Sequence, residues 1–100
     1  MSFNVRYETD AVADLRRIIE YGIEQGHTDP VAYVRSLRNR LGLLREHPLA
    51  GREGRIQHTR ELVIANTPFV AIYVVEKEDV LVLRILHGAQ QWPVATSDNR

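Results

Sequence analysis

The side chains with the widest chemical range in this sequence are its four histidines, His27, His47, His58 and His87. Neutral imidazole can act as a general acid or base, or as a metal ligand. The spacing of these residues matches neither HExxH nor another ligand pattern. The chain has Cys 0, which excludes disulfides, thiolate metal sites and a cysteine nucleophile. We therefore predict no metal site and no cofactor.

Arginine supplies the second chemistry, because its guanidinium forms bidentate hydrogen bonds with carboxylates and phosphates. Lys+Arg 13 balances Asp+Glu 13, and every basic residue except Lys77 is arginine. The charge is nevertheless uneven, since residues 35–60 carry seven arginines against Glu46 and Glu53, a net charge of +5. This block is either a solvated surface or a binding surface. Overall neutrality argues against binding nucleic acid or a membrane through net charge alone.

Two amphipathic helices are predicted in the first half of the chain. Apolar residues recur at steps of three and four from Thr9, a possible N-cap, to Gly26, a possible stop. Asp14 is assigned to the polar face of this first helix. The second helix begins at Asp29-Pro30, a cap followed by proline at the first helical position, and it ends by Pro48.

The remaining elements are predicted as strands. Apolar and polar residues alternate at 3–7, and further strands are expected near 60–65, 69–75 and 80–87. In the last strand, Leu81, Leu83 and Ile85 are expected to face the helices, which leaves Arg84 on the opposite, more open face. The resulting order β-α-α-β-β-β predicts an α+β fold, an antiparallel sheet with a two-helix hairpin packed on one face. We expect one domain over residues 1–94 and a frayed tail at 95–100.

Several ordered segments of the chain carry a resemblance to a known family: Ala13-Asp14-Leu15 with Ile18 and Tyr21, His47-Pro48, Arg60-Glu61-Leu62, Ile72 to Val75, and Leu83 to Gly88. Together they resemble the RelE/ParE toxin superfamily of bacterial type II toxin–antitoxin systems. The resemblance covers roughly residues 3–93. It implies one of two activities: cleavage of messenger RNA on the ribosome, as in RelE-type members, or inhibition of DNA gyrase, as in ParE-type members.

The resemblance favours the ParE branch. Attack of a 2′-OH on a phosphate is helped by a proton acceptor and by cations, and arginine supplies only the second. Val70 stands where RelE-type nucleases carry an arginine, and residues 89–92 contain no Arg or Tyr. The segment His87 to Pro93 is similar instead to the ParE ending, although Gln replaces the arginine usual there. In the alternative RelE-like ribonuclease, His58, Arg60, Arg84 and His87 would be the catalytic groups.

The resemblance also implies partners. We expect a ParD-like antitoxin to form a hetero-oligomer with this chain, DNA gyrase to be the target, and no membrane association or direct nucleic-acid binding by the toxin alone.

Trp92 is either a lid on the core or an exposed anchor. The candidate target contacts are His87, Gln90, Gln91 and Trp92. The candidate antitoxin-binding residues are Arg35, Arg38, Arg45, Arg52, Arg55 and Arg60.

The predicted function is therefore a ParE-like toxin that acts by binding and not as an enzyme. A toxin fold without activity, serving only as a binding partner, is a further alternative. The sequence shows neither a signal-peptide pattern nor an apolar run of membrane-spanning length, so we expect a cytoplasmic protein.

Overall fold

The computed structural model describes residues 2–88 of the chain. Its elements are β1 (Asn4–Tyr7), α1 (Thr9–Glu24), α2 (Pro30–Leu41), a 3-10 turn (Gly42–Arg45), β2 (Arg52–Glu53), β3 (Arg60–Val63), β4 (Phe69–Glu76) and β5 (Asp79–His87). The predicted α+β class and the packed pair of helices are confirmed. The tail predicted at 95–100 lies outside the described residues. Within residues 2–88, neither helix is both long enough and apolar enough to span a bilayer.

The strands form one sheet in the order β1-β5-β4-β3-β2. β1 runs parallel to β5, whereas the other neighbouring pairs are antiparallel, so the sheet is mixed and not wholly antiparallel as predicted. The predicted order β-α-α-β-β-β does not contain the two-residue β2. This strand adds one chain reversal before the last three strands, and β5 therefore runs in the same direction as β1.

The helix boundaries follow from local chemistry. The carboxylate of Asp29 accepts a hydrogen bond from the Ala32 N–H at 3.0 Å, and Pro30 follows it, so the predicted start of α2 is confirmed. Gly26 adopts a φ of 72° just after α1, which suits the predicted stop. Glu8 and not Thr9 occupies the N-cap position of α1, and its side chain makes no capping hydrogen bond.

The core lies between the two helices and one face of the sheet. It is lined by the buried side chains of Ala11, Leu15, Val34, Leu37, Leu41, Leu44, Ile64, Ala71, Tyr73, Val80, Val82 and Ile85. In β5, the predicted inward face was partly wrong, because Val80 and Val82 enter this core in place of Leu81 and Leu83. The register between β4 and β5 shifts at this point: Tyr73 pairs with Val82, but its neighbour Ile72 pairs with Arg84. Such a bulge at Leu83 shifts the inward–outward alternation of β5 side chains by one residue, so that Ile85 also faces the helices.

Candidate functional site

Asp14 on α1 is the best-satisfied buried carboxylate of the described chain, and its side chain is only 5% exposed. Arg84 donates to it through Nε at 2.7 Å and Nη2 at 2.9 Å, the backbone N–H of Ile85 donates at 2.8 Å, and Arg17 Nη2 donates at 2.7 Å. Burial works to raise the pKa of Asp14. The hydrogen bonds from Arg84, Ile85 and Arg17 outweigh that effect and hold the pKa below its usual value.

This carboxylate takes the place of a strand partner at the end of β5. β1 accompanies β5 as far as Val82, whose carbonyl accepts the N–H of Glu8 before the chain turns into α1. Beyond that point Asp14 accepts the Ile85 N–H, which would otherwise be a buried donor without a strand beside it. Helix α1 thereby fixes the end of β5, the part of the strand that leads to His87.

Asp14 lies on the buried face of α1 and not on the polar face predicted for it. Asp14 lies three residues after Ala11 and four before Ile18, so helical geometry places all three on the buried side. This helical spacing was the sequence feature from which the burial of Asp14 could have been predicted. Arg84 was expected on an open surface, but its guanidinium is 20% exposed and is committed to Asp14. Asp14 was not among the predicted site residues.

The four residues of the nuclease alternative do not converge in the structure. In the β4 register, His87 pairs with Phe69, whereas Arg60 pairs with Tyr73, four residues further along. At about 3.4 Å per residue, these two positions are roughly 14 Å apart along the strand direction. His58 is exposed in the loop before β3, and Arg84 is bound to Asp14.

His87 borders a groove between the helices and the end of the sheet. Its ring makes an edge contact with Phe69 at 5.8 Å between centroids, and Phe69 makes a similar contact with Tyr33 at 6.3 Å. We call this cavity of about 770 Å³ the aromatic groove; Tyr21, Tyr33, Phe69 and His87 lie in its lining. Charges of both signs also line it, among them Asp29 and Arg17. It has no net preference for an anionic or a cationic partner.

Two of the predicted antitoxin-binding arginines surround a second buried carboxylate, Glu61, which is 2% exposed. Arg52 Nη2 donates to Glu61 Oε1 at 2.9 Å, and the backbone N–H of Arg55 donates to Oε2 at 3.2 Å. Burial works to raise the pKa of Glu61, but the hydrogen bonds from Arg52 and Arg55 and their positive charges outweigh it and lower that pKa. These side chains join β2 and the following loop to β3.

Arg60, the third arginine of this loop region, is also engaged internally. Its Nη1 donates to the carbonyl of Gly51 at 2.7 Å. The hydroxyl of Tyr73 donates to the Pro48 carbonyl at 2.7 Å and accepts the Gly51 N–H at 2.8 Å. The chain between the helices and β3 is therefore held by a polar network that includes Arg52, Arg55 and Arg60.

The other three predicted arginines lie together. Arg35, Arg38 and Arg45 line a cavity of about 540 Å³ along α2 and the outer strand β1, together with Val5, Tyr7, Ile19, Val31, Val34, Asn39 and Gly42. We call this cavity the α2–β1 groove. The guanidinium carbon of Arg38 lies 4.9 Å from the centre of the Tyr7 ring. Burial raises the pKa of Tyr7, whereas Arg38 and Arg45 act to lower it.

Within residues 2–88, the structure has no group of three or more His, Asp or Glu side chains arranged to hold a metal ion. The candidate target contacts Gln90, Gln91 and Trp92 lie outside the described residues, and their role stays a prediction. His87 is exposed at the end of β5. The structure therefore separates the predicted arginines into an internally bonded set and a set that lines a groove.

Comparison with known proteins gives consistent matches. The family model described as "ParE toxin of type II toxin-antitoxin system, parDE" matches residues 5–92. The protein named "Putative toxin Y4kP", from Sinorhizobium fredii (strain NBRC 101917 / NGR234), is 42% identical over 83 residues, which is 79% of this chain and 84% of that protein.

Two solved structures share the fold. The structure titled "Chromosomal ParDE TA system from P. aeruginosa" matches with a TM-score of 0.76 and 24% identity, over 86% of this chain and 96% of that one. The toxin–antitoxin complex RelBE2 from Mycobacterium tuberculosis matches with a TM-score of 0.65 and 20% identity, over 87% and 99% of the two chains. At these identities the structural matches establish the fold alone.

Proposed function

This chain belongs to the ParE toxin family of type II toxin–antitoxin systems, and we propose that it inhibits DNA gyrase by binding and is neutralised by a ParD-like antitoxin. We expect the chain to act in the cytoplasm, where gyrase works on the chromosome. The family match over residues 5–92 supports the toxin assignment. The solved ParDE and RelBE2 systems of the same fold support an antitoxin partner.

The observation that favours action by binding over catalysis is the ion pair in which Arg84 donates two hydrogen bonds to Asp14. A ribonuclease needs a proton acceptor close to cations that are available to the scissile phosphate. The Arg84 guanidinium already makes two hydrogen bonds to a buried carboxylate, and Arg60 bonds the Gly51 carbonyl. Each guanidinium keeps further N–H donors, but these internal contacts fix its position and, at Arg84, neutralise its charge.

Lys77 does not supply a catalytic amine for such a ribonuclease site. It occupies the β4–β5 turn with a φ of 55°, at the end of the hairpin opposite His87. At about 3.4 Å per residue, the nine-residue β5 places roughly 27 Å between the two ends. Lys77 and His87 therefore cannot act on one phosphate.

The test is induction of the full chain without an antitoxin, followed by separate measurement of DNA synthesis, protein synthesis and transcript ends. We expect DNA synthesis to stop first while transcripts stay intact, and the purified chain to inhibit supercoiling of relaxed plasmid by purified gyrase. New transcript ends within coding regions would instead establish the ribonuclease. Unimpaired growth would identify an inactive toxin fold.

Paired variants sharpen this test. Trp92→Ala removes a predicted target contact and should reduce gyrase inhibition. His58→Asn is the matched control, because position 58 has a φ of 73° and asparagine tolerates that conformation. We expect His58→Asn to inhibit gyrase like the unmodified chain. A ribonuclease that used His58 would lose activity in this control.

A further inference from the structure

We propose that the α2–β1 groove receives an acidic amphipathic helix of the antitoxin, and that the antitoxin-binding charge lies on Arg35, Arg38 and Arg45 and not on Arg52, Arg55 and Arg60. This inference rests on the proposed function, because it identifies a surface for the partner assigned there. It narrows the six predicted arginines to the three that the structure places in one cavity.

The charge of the groove selects the chemistry of its occupant. Three guanidinium groups line it, and no acidic side chain of residues 2–88 does. In contrast, Glu61 binds both Arg52 and Arg55 and offsets one of their two charges, and both acidic and basic groups line the aromatic groove. An incoming carboxylate therefore meets an attractive, uncompensated field at the α2–β1 groove.

The lining also has an apolar part, which favours a protein segment over nucleic acid. Val5, Val31 and Val34 line the groove beside the arginines, and Val31 is 49% exposed. Val34 is already buried in the core, so the added affinity comes from burial of Val31 and the partly exposed Val5, which a phosphate backbone cannot supply. A segment with carboxylates on one side and apolar groups on the other satisfies both parts of the groove.

The shape of the groove fits a helix. Val31, Val34, Arg38 and Arg45 recur along α2 and the 3-10 turn at helical spacing, so they form a single stripe. The fourteen steps from residue 31 to residue 45 span about 21 Å at 1.5 Å per residue. Gly42 allows the Arg45 guanidinium to lie close to the helix backbone, because a Cβ built there would lie 2.7 Å from Arg45 Nη1. A partner helix of about four turns would cover this stripe, in the helix-in-groove mode of recognition.

The test uses the purified full chain and the purified protein encoded beside it, with affinity measured at several salt concentrations. The double variant Arg38→Glu/Arg45→Glu should weaken binding at low salt by about 30-fold or more and flatten the salt dependence, because it reverses the attraction. Val31→Asp should also weaken binding. Arg16→Glu is the matched control, since Arg16 is exposed on α1 outside the groove, and its affinity should stay within about twofold.

A charge swap separates loss of the interface from loss of fold. Synthetic peptides from the acidic half of the antitoxin are titrated in native form and with their carboxylates replaced by lysine. The lysine peptide should bind Arg38→Glu/Arg45→Glu better than it binds the unmodified chain, which a merely unfolded variant would not do. Absence of this rescue would overturn the proposal.

Three other results would also overturn it: unchanged antitoxin affinity in the groove variants, loss of affinity only in Arg52→Gln with the fold intact, or binding of a DNA duplex that depends on the groove arginines while antitoxin binding does not. Failure of the proposed function has a different signature. In that case induction of the chain would leave growth and gyrase unaffected, whatever the groove binds.

Discussion

Replacing Asp14 with alanine should destabilise the protein far more than replacing any exposed acidic residue. The substitution removes the acceptor of the Ile85 N–H and the partner of Arg84 in one step. Both donors are left near the core, at the point where β1 no longer accompanies β5. The end of β5 should therefore loosen along with the loss of global stability.

The magnitude follows from the burial of the groups involved. Loss of one partner from a buried ion pair costs about 3–5 kcal/mol, and an unsatisfied buried N–H costs roughly 1–3 kcal/mol of the same total. The Arg84 side chain is 20% exposed and can recover some hydration, which favours the lower end. We expect the free energy of unfolding to fall by about 3 kcal/mol, or Tm by roughly 12–24 °C for a domain of this size.

Urea denaturation of the full chain measures this loss, and hydrogen exchange at Ile85 reports the local effect. Arg17→Ala is the matched control, because it removes another partner of Asp14 whose side chain is 64% exposed. An exposed ion pair contributes less than about 1 kcal/mol. Equal destabilisation by Asp14→Ala and Arg17→Ala would refute the view that Asp14 holds the end of β5.

The Asp14 carboxylate also makes the free energy of unfolding depend on pH in the acid range. The pKa of Asp14 is lower in the folded chain than its ordinary value of about 3.9. The stabilisation it provides is therefore present above that ordinary value and is lost as pH falls through the folded pKa. The stability difference between the unmodified chain and Asp14→Asn should be constant from about pH 5 to 7 and shrink below about pH 4. A difference that persists undiminished in stronger acid would contradict this assignment.

Three further predictions concern the loop network and the start of α2. Tyr73→Phe removes the hydroxyl that joins the Pro48 carbonyl to the Gly51 N–H, and should cost about 1–3 kcal/mol in urea denaturation with faster exchange at Gly51. Gly51→Ala places a Cβ 2.8 Å from the Tyr73 hydroxyl and should lower Tm through displacement of that ring, whereas an unchanged Tm would contradict the packing. Asp29→Ala removes the cap on the Ala32 N–H and should cost about 1 kcal/mol, with Asp29→Asn retaining most of the stability.

Local chemistry in the sequence was sufficient to predict the helices. The start of α2 depends on Asp29 and Pro30, and the end of α1 on Gly26, all of which act within a few residues of the boundary. The alternation of apolar and polar residues and the apolar runs predicted the order of the strands along the chain. They did not give the direction of β1 relative to β5, because that direction depends on β2. A strand of two residues has no periodicity of its own and exists through its pairing with β3.

The candidate site was harder to predict because its decisive contacts are distant in sequence. Asp14 and Arg84 are separated by 70 positions, and each on its own has the pattern of a surface charge. The bulge at Leu83 is equally invisible locally, since the alternation of β5 continues through it in the sequence. Helical spacing from Ala11 is compatible with a buried Asp14, although Asp14 was predicted on the polar face, and that spacing gives no indication of which cation compensates the charge.

The two buried carboxylates also explain how a neutral chain can present a basic surface. Asp14 and Glu61 lie inside the fold, and each offsets one charge of the two arginines that it binds: Arg84 and Arg17 at α1, and Arg52 and Arg55 beside β3. Acidic charge used in this way is not available to offset the arginines along α2. Among residues 2–88, no acidic side chain forms an ion pair with Arg35, Arg38 or Arg45. The partner that binds the α2–β1 groove therefore has to bring the carboxylates, and its affinity should fall with rising salt even though the toxin has no net charge.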